Sequence, residues 1–128
     1  MKAVEAAIEM AKAGPSEVTL LSIILDTGAL EWQPPVSDKL KTLSENALSN
    51  AKALMQEEGI TPHTMLSTGI SPADGIIMTA KEGNFDIIII GSRGLTGIKK
   101  FFLGGTASKV VTYAPCSVLV VKIPEAES

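Results

Sequence analysis

Only one cysteine, Cys116, occurs in the 128 residues, which excludes a disulfide within the chain and suits a reducing compartment. The single histidine, His63, excludes Cys/His zinc sites and leaves one candidate for histidine-based acid–base chemistry. No apolar run approaches the ~18 residues of a membrane span. Lys2 and Glu5 follow Met1 where a signal peptide would carry an apolar core. These features point to a cytoplasmic chain that meets no membrane. An excess of positive charge is missing too: the net charge is −3, so nucleic acid is not an expected partner. What is present is ordinary for a globular chain, 45% hydrophobic and 20% charged, at a length that makes residues 1–128 one domain. Such a chain buries roughly two-thirds of its unfolded surface and needs no metal or disulfide to hold together.

A further absence is local. From Ile87 to Pro124 there is no Asp or Glu, while Arg93, Lys99, Lys100, Lys109 and Lys122 give +5 against −8 elsewhere. A basic, glycine-bearing segment on an acidic body points to a small bound anion; chance clustering of solvated lysines is the plainer alternative.

Helical and strand patterns alternate along the chain. Val4, Ala7, Ile8 and Ala11 recur at helical spacing before Gly14-Pro15. Val18 to Leu25 is too short for a helix and reads as a strand covered on both faces. Asp26 to Pro35, with Gly28, Trp32 and a Pro-Pro pair, reads as a loop. Val36, Leu40, Leu43, Ala47, Ala51 and Leu54 mark a long amphipathic helix that Gly59 ends, and a weaker strand covers roughly His63 to Thr68. Ser71-Pro72-Ala73-Asp74 is a helix start, with a capping serine, a first-turn proline and an acid at the positive end. Ile76, Ile77 and Ala80 then face inward until Gly83, and Phe85 to Ile90 reads as the most buried strand. Ala107, Val110 and Val111 continue a helix to about Tyr113, and Ser117 to Val121 is the last strand.

Helices of this length between apolar strands impose parallel pairing, because each crossover returns the chain to the same sheet edge. The expected fold is an open, doubly wound α/β sheet with helices on both faces. Ligands bind such sheets where strand carboxyl ends meet helix amino ends. The loop after Ile90 lies there: Gly91-Ser92-Arg93-Gly94 follows the strand, and Gly104-Gly105-Thr106 precedes the next helix. Glycines let backbone approach a ligand closely, and free amides at a helix start present positive charge to an anion. A plain connector between strand and helix is the alternative. The loop is neither a Walker motif, which closes on Gly-Lys-Ser/Thr, nor a dinucleotide fingerprint, which opens on Gly-x-Gly.

Gly91-x2-Gly94-x9-Gly104, flanked by DIIIIGSRGLTG and KVVTYAPCSVLVV, resembles the universal stress protein family. The likeness covers nearly the whole chain, with Leu20-Leu21-Ser22 resembling the second strand and Gly69-Ile70-Ser71-Pro72-Ala73 the entry to the third helix. The resemblance implies an adenine nucleotide alpha hydrolase-like fold, a stress-response role, homodimers paired through the last strand, and ATP, with Mg, as ligand. It further implies at most weak hydrolysis, with ribose and phosphates wrapped by the backbone at Gly91, Gly94 and Gly104, to which Ser92, Arg93, Gly105 and Thr106 are joined as binding residues. Ile23 and Ile90 match the lining of the adenine slot. A dimeric interaction module that binds no nucleotide and a weak phosphohydrolase remain the alternatives.

Two departures stand out. The family continues its last glycine with Ser or Thr, whereas here Gly105 follows Gly104 and Thr106 comes one residue late. Family members also open with a strand of the type ILVPVDGS, whose aspartate meets the nucleotide, whereas this sequence opens on its first helix. The expectation is therefore weak ATP binding, dominated by phosphate contacts. The place of that strand lies between Val18 to Leu25 and Phe85 to Ile90, which are expected to close on each other or to accept a strand from another chain, because unpaired buried backbone is costly.

Other chemistry is sparse. His63 reads as a surface or strand-edge histidine and Cys116 as a small buried hydrophobe, with no catalytic residue assigned. Asp26 is a loop acid able to touch a ligand at the carboxyl edge, and Asp86 a turn or capping acid. Met10, Met55, Met65 and Met78 sit at core-like positions. Neither paired carboxylates nor a nucleophile–base spacing emerges, so the pattern favours binding over turnover.

Overall fold

In the computed structural model, which describes residues 2–25, 34–92 and 104–122, helices and strands alternate from end to end. The order is α1 (Lys2–Lys12), β1 (Thr19–Leu25), α2 (Pro34–Glu57), β2 (His63–Gly69), α3 (Pro72–Glu82), β3 (Ile87–Gly91), α4 (Gly105–Tyr113) and β4 (Ser117–Val121). Pro34 and Pro35 open α2 instead of closing the preceding loop, since a first-turn proline loses no hydrogen bond. Ser71 caps α3, its hydroxyl accepting from the Asp74 amide at 3.3 Å. The end of α2 turns through Gly59 at φ +81°, with the Ile60 amide on the Met55 carbonyl (2.9 Å) and the Gly59 amide on Gln56 (3.1 Å). Only a left-handed residue closes that pair of bonds, which is why a glycine stands there. The helix α3 ends at Gly83 as expected, and the left-handed residue after it is Asn84, at φ 53°.

Both strand pairs are parallel: β1 lies along β2 with Thr19 opposite His63, and β3 along β4 with Ile87 opposite Ser117. The helix α1 meets α2 while α3 meets α4, which places one pair of helices on each face. The doubly wound arrangement thus holds. The sheet itself, however, is divided into β1–β2 and β3–β4, with no ladder joining β1 to β3. Direct closure of the two strands, one of the expected solutions, does not occur. The bridging helices explain this: α1 packs on β3 and β4, while α3 packs on β1 and β2. Packed helices lie about 8–10 Å apart whereas adjacent strands lie about 4.8 Å apart, so each helix spans two strand positions. Pulling β1 against β3 would drive the helices into each other. The gap persists as a cavity of about 410 Å³.

This division decides where the core sits. Ile24, Ala51 and Met55 bury the contact of α2 with the β1–β2 pair, and Ala73, Ala80, Ala107 and Val110 bury the contacts of α3 and α4. The alanines let those two helices approach closely. The buried face of α2 includes the expected Ala51, with the expected Leu40 half-buried, but continues through Met55, Ser44 and Leu48, one position on from the expected Leu54, Leu43 and Ala47; Leu43 is 53% exposed. Ile87 to Ile90 are only half-buried, because one strand edge faces the gap, so β3 is not the most buried strand. Of the four methionines expected in the core, only Met55 is buried. Met10 faces the gap, Met65 lies on the exposed edge strand β2, and Met78 on the exposed part of α3. Val111 is likewise exposed on α4.

Candidate functional site

The carboxyl end of β3 and the amino end of α4 meet at one place. The Ser92 amide donates to the Val121 carbonyl at 2.9 Å, extending the β3–β4 contact past Gly91. The Ser92 carbonyl in turn accepts from the Gly104 amide at 2.7 Å. Ser92 and Gly104, which flank residues 93–103, are therefore held together by a short hydrogen bond. Gly104 is the N-cap of α4, at φ −60° and ψ 157°, and its carbonyl accepts the Ser108 amide at 2.9 Å. Among the described residues, no side chain caps this helix. Its first-turn amides therefore have no intrahelical partner and carry the positive end of the helix dipole. Such an end binds anions. Gly105 is exposed, and a Cβ placed on it would meet nothing within 4 Å.

The structure thus brings Gly91, Ser92, Gly104, Gly105 and Thr106 to one point on the carboxyl edge, with Ile90 immediately before them and paired to Val120. Ile23 stands in the other half of the molecule, on β1, paired to Ser67. It faces α3, where its Cδ1 would lie 2.5 Å from a Cβ on Gly75. Arg93, Gly94, Lys99 and Lys100 lie outside the described residues, as does Asp26.

Lys109 belongs to the acid-free segment, but its charge is already engaged. Its Nζ lies 3.0 Å from Asp74 Oδ1, joining the first turn of α3 to α4. Both groups are largely exposed, so the pair is worth about 0–1 kcal/mol. Sequence reasoning assigned Asp74 to its own helix end and Lys109 to the basic segment; nothing local links residues so far apart. A similar tie, Lys12 to Glu58, fastens the end of α1 to the turn after α2.

The remaining candidates stay apart from this place. His63 is exposed at the start of β2, its amide bound to the Val18 carbonyl at 2.9 Å. Cys116 is a half-buried free thiol just before β4, and Asp86 is exposed just before β3. Among the described residues, no group of three or more His, Cys, Asp or Glu could hold a metal, and no helix is long and apolar enough to cross a membrane.

The family model for the universal stress protein family matches residues 1–122. A universal stress protein of Methanocaldococcus jannaschii is 32% identical over 133 aligned positions, covering 99% of this chain and 77% of that protein. Among solved structures, the universal stress protein UspA from Lactobacillus plantarum superposes with a TM-score of 0.79 at 25% identity, over 93% of this chain and 86% of that one. Two more distant relatives share the fold and carry nucleotides. One is the Archaeoglobus fulgidus universal stress protein in complex with dAMP (TM-score 0.69, 21% identity, 94% and 86% covered). The other is an Arabidopsis thaliana family protein with AMP bound (TM-score 0.70, 21% identity, 96% and 77% covered).

Proposed function

Since this chain belongs to the universal stress protein family, we propose that it is a stress-response protein that binds an adenine nucleotide, ATP, weakly, at the meeting of β3 and α4. The observation that carries this reading is the bond from Gly104 to Ser92, which holds the loop ends against the uncapped start of α4. Phosphates lie on the first-turn amides of α4, with Gly91 leaving room for the ribose and Ile90 beside it; Gly94 joins them on the sequence pattern alone. Relatives with AMP, dAMP or cAMP bound support the ligand class. The donors fit a phosphate but not a protein-held Mg, since no acidic cluster occurs among the described residues. Any Mg would ride on the nucleotide's own oxygens.

Two losses weaken the site. Gly105 offers no hydroxyl where relatives carry Ser or Thr, and among the described residues the one acid lining the gap beside β1, Glu17, precedes that strand at the end away from the loop. Each missing contact costs on the order of 1–3 kcal/mol, and each ~1.4 kcal/mol is tenfold in affinity. A micromolar site becomes nearly millimolar, with phosphate contacts dominating and little preference for adenine over guanine. We read the site as one of binding in place of turnover, because the sequence offers no nucleophile–base spacing. Mass spectrometry of the protein denatured straight after purification tests the proposal: adenine nucleotide in substoichiometric amount agrees with it, and a nucleotide-free protein that also fails to take up added ATP refutes it.

A second reading concerns assembly. The outer edge of β4 carries no partner among the described residues, and Leu119 on it is 38% exposed. Such an apolar edge needs cover, and pairing of two β4 strands in a homodimer supplies it.

A further inference from the structure

Lys109 stands four residues after Gly105 on α4, so the two lie on one face of the helix, about 6 Å apart along its axis. A helical side chain leans over the turn on its amino side, which for Lys109 is the turn that Gly105 opens. That turn is bare, because Gly105 is exposed and has open space where a Cβ would stand. Lys109 is nevertheless drawn sideways, its Nζ lying 3.0 Å from Oδ1 of Asp74 in the first turn of α3.

This ion pair is built to exchange. Both side chains are largely exposed, and a pair so placed holds its partners by a factor of about five at most. Asp74 keeps a favourable place without the lysine, at the positive end of α3 and with its amide on the Ser71 hydroxyl. Lys109 carries its charge on a flexible four-carbon stem with three rotating donors. A polyphosphate seated on the first-turn amides of α4 brings more negative charge than one carboxylate, so it wins the ammonium from Asp74.

Resting on the reading of the α4 amino end as a phosphate site, we propose that Lys109 is an exchangeable phosphate ligand. Asp74 holds it in the empty protein. Bound polyphosphate takes it over and parts the tie between α3 and α4. The lysine supplies part of what the hydroxyl missing at Gly105 does not, while the competing carboxylate keeps the site weak. The competition also favours ligands with more phosphate charge, ATP above AMP.

Calorimetry with ATP and with inorganic tripolyphosphate on the full chain tests this in the native protein, Asp74→Asn, Lys109→Gln and the double variant. Asp74→Asn frees the lysine and should tighten both ligands by about two- to fivefold. Lys109→Gln should weaken both by about fivefold or more. The double variant should match Lys109→Gln, because the gain from Asp74→Asn requires the lysine. Lys81→Gln removes the same charge at the other end of α3 and should leave both affinities unchanged. Side-chain ammonium NMR reads the exchange itself: the Lys109 resonance shifts when tripolyphosphate is added, and that of Lys81 does not. A gain from Asp74→Asn that persists at full size in the double variant would mean that the carboxylate acts by repulsion alone, and overturns the proposal. So does an unchanged affinity in Lys109→Gln, or a Lys109 resonance indifferent to tripolyphosphate. Native and Asp74→Asn proteins that take up neither ligand remove the nucleotide reading and this inference with it, whereas binding that ignores both substitutions removes this inference alone.

Discussion

Gly105→Ser is the change that separates the two properties of the α4 amino end. Gly105 is the first residue of α4, lies outside the left-handed region, and has open space where its Cβ would stand. A side chain therefore enters without strain. Replacing glycine at a compatible position removes unfolded-state entropy worth about 0.4–1 kcal/mol. For a chain of this size that raises Tm by roughly 2–5 °C. The hydroxyl adds a second effect, a hydrogen bond to a charged phosphate worth about 1.5–3 kcal/mol, or at least tenfold in ATP affinity. Gly105→Ala is the control, sharing the entropy gain but not the hydroxyl. Differential scanning fluorimetry should show both variants stabilised alike. Calorimetry with ATP should show only Gly105→Ser binding at least tenfold more tightly. Equal ATP affinity in the two variants would refute the placement of phosphate on the first turn of α4.

Ser71→Ala removes the hydroxyl that accepts from the Asp74 amide and should cost about 1 kcal/mol, read by urea unfolding with an unchanged m-value. Met55→Ala empties the most buried side chain of the β1–β2 half and should cost about 2–5 kcal/mol in the same assay, whereas Met78→Ala, exposed on α3, should cost far less. Leu119→Lys places a charge on the outer strand β4; light scattering should report a monomer, and an unchanged dimer mass would remove the assembly proposed through that strand.

Much of the fold was legible because its signals are local. Ser71 and Pro72 announced α3, Gly59 ended α2, and the bounds of β4 follow from Ala114-Pro115 and the valines after it. The loop was legible for the same reason, its glycines standing at a strand end and a helix start. What the sequence hid is set by tertiary placement. Four consecutive isoleucines announce a strand with neighbours on both sides, yet among the described residues β3 has one neighbour and a cavity, and its burial falls accordingly. Leucine at 43 and at 54 marked a stripe that the packing of Met55 rotates by one position, because helical spacing fixes a face only to within a residue. The pairing of Lys109 with Asp74 joins two helices that no periodicity relates.

The central claim is that the loop from Gly91 to Gly104 holds a nucleotide by its phosphates. Calorimetry of the native chain against ATP, GTP and AMP, repeated on the double variant Gly94→Val with Gly104→Val, tests it most directly. The account predicts weak binding in the order ATP and GTP alike, AMP weaker, and all of it lost in the double variant. Binding that survives both valines would place the nucleotide elsewhere, and tight, adenine-selective binding would contradict a site carried by phosphate contacts.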